Sequence, residues 1–64
     1  MFSNLQAEMA RRGLTGRAVA KYLGVQELTM YNKLNGTTEF KLSEMEAIKD
    51  LLETDDTMDY LFKR

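Results

Sequence analysis

No cysteine occurs anywhere in this 64-residue chain, and that absence constrains the fold more than any other feature. A chain so short buries only about 60% of the surface its unfolded form exposes. Small domains often lean on disulfides or a thiolate-bound metal, and neither is open here. One compact core must hold the chain, and the residues suggest that it is helical. Proline is absent and glycine stands singly at positions 13, 16, 24 and 36, a pattern that suits short helices with glycine at their junctions.

Apolar spacing and capping residues divide the chain into five helices. Ser3 and Gln6 form a capping-box pair that opens the first, with Leu5 and Met9 on one face and Gly13 as its stop. Thr15 caps a second helix over about 16–23, which places Val19, Ala20 and Leu23 inward and Arg17 and Lys21 together on the other side. Gly24 ends it. A third helix over about 27–35 turns Met30 and Leu34 inward and closes on Asn35-Gly36. Phe40 anchors the loop at 37–42. Ser43 and Glu46 make a second capping box for a fourth helix over about 44–53, with Met45, Ile48, Leu51 and Leu52 at helical spacing. After a polar break at 54–57, a short fifth helix carries Met58, Tyr60, Leu61 and Phe62. The expected core is Leu5, Met9, Val19, Ala20, Leu23, Val25, Met30, Leu34, Phe40, Met45, Ile48 and Leu51. The last helix serves either that core or a seam with a second copy.

Composition narrows the chemistry. With no His and no Cys, the usual general bases, thiol nucleophiles and nitrogen or sulfur metal ligands are missing. A non-enzymatic domain is expected, with no catalytic residue, metal, cofactor or small-molecule substrate. The start MFSNLQAEM lacks a cationic segment followed by an apolar run, and no stretch approaches about 18 apolar residues. A cytoplasmic protein without a membrane span is expected.

The net charge of −1 hides an asymmetry. Residues 1–41 carry six cations against three acids, a net +3, whereas 42–64 carry three cations against seven acids, a net −4. A basic first part suits nucleic-acid binding through one face, although ordinary surface charge can look the same. The outer face of the third helix is more distinctive. Leu28 and Asn32 lie opposite Met30, with Thr29, Tyr31 and Asn35 beside them. Solvated helix faces are normally charged; this one is neutral and rich in hydrogen-bonding groups.

Residues 15–36, TGRAVAKYLGVQELTMYNKLNG, read as helix, three-residue turn, helix. Ala20 supplies the small residue such a crossing needs, and Gly24 tolerates the positive φ of a sharp turn. With the leader NLQAEMARRGLT, the segment VAKYLGV, the ending YNKLNG, the following EFKLSEMEAIKDLL and the closing DYLF, the chain resembles the lambda-repressor-like, Cro/CI-type helix-turn-helix proteins, also called XRE-type regulators. The resemblance covers nearly all of residues 1–64. It implies an all-α, compact five-helix domain with a helix-turn-helix unit at about 15–36. It also implies a sequence-specific regulator, of the phage-repressor kind, that binds double-stranded DNA at near-palindromic operators as a weak homodimer. By the same resemblance Gln26, Glu27, Leu28, Tyr31 and Asn32 would face base edges, and Arg17, Lys21, Lys33, Asn35 and Lys41 would contact phosphates. Glu27 either accepts from cytosine N4 or simply favours its helix N-terminus. The exposed Leu28 keeps a rival open, in which the same fold is a protein–protein interaction module such as an antirepressor or docking domain.

Overall fold

The computed structural model describes residues 2–64. They form five helices: α1 (Ser3–Arg11), α2 (Gly16–Leu23), α3 (Glu27–Leu34), α4 (Leu42–Leu52) and α5 (Met58–Leu61), with no strand among the described residues. Overall extents are 27 × 21 × 20 Å. One buried cluster unites them, built from Phe2, Leu5, Met9, Val19, Ala20, Met30, Leu34, Ile48, Leu52 and Leu61. Leu14, Leu23, Val25, Phe40, Leu51 and Phe62 pack half-buried around it.

The core differs from expectation at its far end. Phe2, Leu52 and Leu61 are buried members, while Met45 and Leu51 are only half-buried. The reason is an aromatic cluster closing that end. Phe2, Phe40 and Phe62 meet edge-to-face, with ring centroids 5.2, 5.3 and 6.1 Å apart, the arrangement aromatic quadrupoles favour. Arg64 lies over the Phe2 ring at 5.3 Å. Of the residues expected to form either core or seam, Leu61 is wholly buried, Met58 and Phe62 are half-buried, and Tyr60 stays exposed.

Both expected capping boxes are corrected. The first helix takes Phe2, not Ser3, as its N-cap, with no side-chain cap. Burial of the Phe2 ring fixes the chain there, and its carbonyl accepts from the Gln6 N–H at 3.0 Å. The fourth helix starts at Leu42, so Ser43 is not its cap. Glu44 instead accepts the Lys41 N–H at 2.8 Å and the Lys33 ammonium at 3.0 Å. A tertiary ion pair thus outweighs the local Ser43/Glu46 pattern.

A second network joins α1 to the end of α4. Glu8 is buried, and its two carboxylate oxygens accept from Arg11 at 2.9 Å and Arg12 at 2.8 Å. Arg12 Nε also donates to the Leu52 carbonyl at 2.7 Å. The next residue, Glu53, caps α4 in the left-handed region at φ 51° and ψ 47°, which a side chain normally disfavours, and its N–H donates to the Asp50 carbonyl.

Candidate nucleic-acid interface

Thr15 Oγ1 accepts from the Ala18 N–H at 3.1 Å and so starts α2 where expected. At the other end Gly24 adopts φ +74°, and the Val25 N–H folds back to the Ala20 carbonyl at 3.0 Å. This left-handed cap turns the chain sharply, so only Gly24, Val25 and Gln26 separate the two helices. Ala20 is buried between them. The backbone therefore holds α2 and α3 in one fixed relation.

Two grooves flank this pair. The first, about 400 Å³, is lined by Arg17 and Lys21 from α2, Glu27 from α3, and Ala20 and Val25 as its floor. The second, about 390 Å³, runs past Leu14, Gly16, Tyr31, Leu34 and Asn35. A Cβ at Gly16 would stand 2.9 Å from the Tyr31 ring, so any side chain there would push that ring aside. The Tyr31 ring thus rests against the start of α2 and helps fix how α3 lies.

The expected base-facing residues are largely presented to solvent. Leu28 is 70% exposed and Tyr31 42%. Gln26 and Glu27 are also exposed, and Asn32 is half-buried. The Gln26 side chain makes no cap hydrogen bond. The Asn32 carbonyl accepts from the Thr37 N–H at 2.9 Å, which ties the loop after α3 to the helix that carries the outer face.

The expected phosphate contacts separate into two groups. Arg17, Lys21, Asn35 and Lys41 are exposed. Among the described residues, neither Arg17 nor Lys21 takes part in an ion pair. Lys33 is a correction. Only 8% of it is exposed, and its ammonium binds Glu44 at 3.0 Å and the Glu39 carbonyl at 3.1 Å. It sits on the inner side of α3 beside Met30 and Leu34 and holds the α3–α4 loop, so it drops out of the phosphate set. Burial alone would raise the Glu44 carboxyl, but the Lys41 N–H and the Lys33 ammonium outweigh that and hold it below its ordinary range.

Two interface features went unread in the sequence. Tyr22 is an exposed aromatic on α2, and winding α2 at about 100° per residue would have placed it away from the buried stripe. The fit of Gly16 to Tyr31 had no sequence signal, because it joins residues on different helices.

Among the described residues no three or more His, Cys, Asp or Glu side chains converge as a metal site. No helix is long and apolar enough to cross a membrane. Compared with protein-family models, curated proteins and solved structures, the chain matches none, so what the site does must be inferred from the geometry above.

Proposed function

We propose that this chain is a helix-turn-helix domain of the lambda-repressor-like kind that binds double-stranded DNA sequence-specifically and regulates transcription. In this reading α3 enters the major groove, and α2 lies across the backbone. One observation carries it: the exposed outer face of α3, neutral but for Glu27 at its start, stands beside α2 cations that have no ion-pair partner among the described residues. Side chains that read bases need freedom from internal hydrogen bonds, and cations that bind phosphates need freedom from internal carboxylates.

Such a domain works by binding and not by turnover. Two copies on a near-palindromic site would set their α3 helices about 34–36 Å apart, one turn of duplex. With Leu61 consumed by the core and Phe62 engaged with Phe2 and Phe40, little apolar surface is left on α5 for a seam. Dimerisation is then weak off DNA and assisted by the duplex.

A protein-docking role is the second reading, favoured by Leu28, the most exposed of the large apolar side chains. Titration with a random-sequence duplex at two salt concentrations, followed by backbone amide shifts, separates the two. DNA binding predicts shifts along α2 and α3 that weaken steeply with salt through counterion release. An absence of shifts at low salt rejects DNA and leaves the docking role.

A further inference from the structure

Glu27 is the only carboxylate on either α2 or α3, and it lines the same groove as Arg17 and Lys21. It bonds to neither, because no ion pair joins them. Every acid elsewhere that meets a cation closely does so as part of the scaffold, as Glu8 and Glu44 do. Glu27 is thus an acid placed on a face whose neighbours suit a polyanion. It would repel phosphates unless a base edge repaid its presence.

Resting on the DNA-binding reading above, we propose that Glu27 determines specificity on this face by selecting cytosine in the major groove. The chemistry of the four base edges leaves little choice. An ionised carboxylate accepts hydrogen bonds and donates none. Guanine shows it two acceptors, and thymine an acceptor and a methyl group. Adenine sets its N7 acceptor beside its amino donor, so a carboxylate there meets attraction and repulsion together. Cytosine sets its amino donor beside its own C5–H, with the O6 of the paired guanine as the one flanking acceptor, whereas adenine's amino group lies between its own N7 and thymine O4. The amides of Gln26, Asn32 and Asn35 carry both donor and acceptor and can adapt to several bases. Glu27 cannot.

The groove sharpens this selection. In the free protein Arg17 and Lys21 line the groove that Glu27 shares, without pairing to it. Once phosphates claim those cations, the carboxylate must find donors on the base it faces or stay unpaired in a partly dehydrated interface. Cytosine N4 meets that need. Guanine and thymine leave the penalty in place and adenine offsets it only in part, so the same acid that weakens binding to random DNA raises discrimination.

The test compares the parent chain with Glu27→Gln, which keeps the size and removes the charge. Each is mixed at fixed salt with a pool of duplexes carrying randomised positions, and the bound fraction is sequenced. The parent should enrich cytosine at one position of each half-site by about tenfold. Glu27→Gln should flatten that position or move it toward adenine, which glutamine can bind through two hydrogen bonds. It should also bind the unselected pool several-fold more tightly. A helix-dipole role for Glu27 would alter thermal stability alone and leave base preference untouched. An unchanged cytosine position in the variant, or none in the parent, overturns the assignment. Failure of the parent to bind any duplex at low salt overturns the DNA-binding reading itself, and this inference with it.

Discussion

Arg12 and Arg17 are close in sequence and differ in what they are held by. Arg12 binds the Glu8 carboxylate at 2.8 Å and the Leu52 carbonyl at 2.7 Å, so its charge is spent on joining α1 to α4. Arg17, on α2, has no carboxylate partner among the described residues. The same contrast runs through the molecule. Where α1, α4 and α5 meet, Glu8 is doubly bound, three phenylalanines contact one another, and Asn4 donates to the Tyr60 carbonyl at 2.9 Å. Across the outer surface of α2 and α3, Lys21, Tyr22, Gln26 and Leu28 stand exposed. One region meets its needs within the chain and holds the fold. The other leaves its groups available.

The largest effect should come from breaking the self-contained region. Leu61 is wholly buried on a helix of four residues, so Leu61→Ala should cost about 2–5 kcal/mol, with a cavity that such a short helix can partly collapse. Denaturant unfolding would measure it. A loss below about 1 kcal/mol would mean that α5 is an adornment and not part of the core.

On the open region the effect should fall on binding. As Asn32 carries both a donor and an acceptor, Asn32→Ala should weaken a selected duplex by about 1–3 kcal/mol and relax preference at one base pair. Lys21→Ala should weaken all duplexes alike and reduce the salt slope by about 1. If both variants bind every duplex as the parent does, α3 is not the reading helix.

Glu44 belongs to the scaffold even though it lies close to the proposed interface. Removing its charge by Glu44→Gln should cost about 1–2 kcal/mol at neutral pH, the scale of a charge-assisted hydrogen bond. Its folded carboxyl is held below the ordinary range, so this stability is fully present above about pH 4.3 and lost as pH falls through the lower folded value. Melting curves of parent and variant should therefore converge in acid. A gap that persists to low pH would place the loss in packing.

How much of this was legible in the sequence follows the same division. Elements fixed by local chemistry could be read directly: the Thr15 cap, the Gly24 turn and the inward stripe of Val19, Ala20, Met30 and Leu34 all stand where periodicity put them. Features set by long-range partners could not. Ser3 and Ser43 looked like caps, yet those helix starts are set by Phe2, packed against Phe40 of the α3–α4 loop, and by Glu44, paired with Lys33 of α3. Lys33 looked like a surface cation because lysine is seldom buried, and its partner Glu44 lies on the next helix. The outer face of α3 was readable for the opposite reason. Apart from Tyr31, whose ring packs on Gly16, those side chains are held by no side-chain hydrogen bond or ion pair among the described residues, so winding the helix was enough to place them.

The smallest expected effect on stability is at Leu28, and it tests the comparison most directly. A side chain 70% exposed has little burial to lose, so Leu28→Ala should change unfolding free energy by no more than about 0.5 kcal/mol. If the leucine meets a thymine methyl group, its contribution depends on that methyl being present. Deoxyuridine removes the methyl and leaves the base pair intact. The two changes can therefore be combined in a double-mutant cycle on a selected duplex. At one thymine the losses should be less than additive, because either change alone already removes the contact. At every other thymine they should simply add. Additivity at all thymines, together with undiminished DNA affinity of Leu28→Ala, would take Leu28 out of base reading and favour a protein partner for this face.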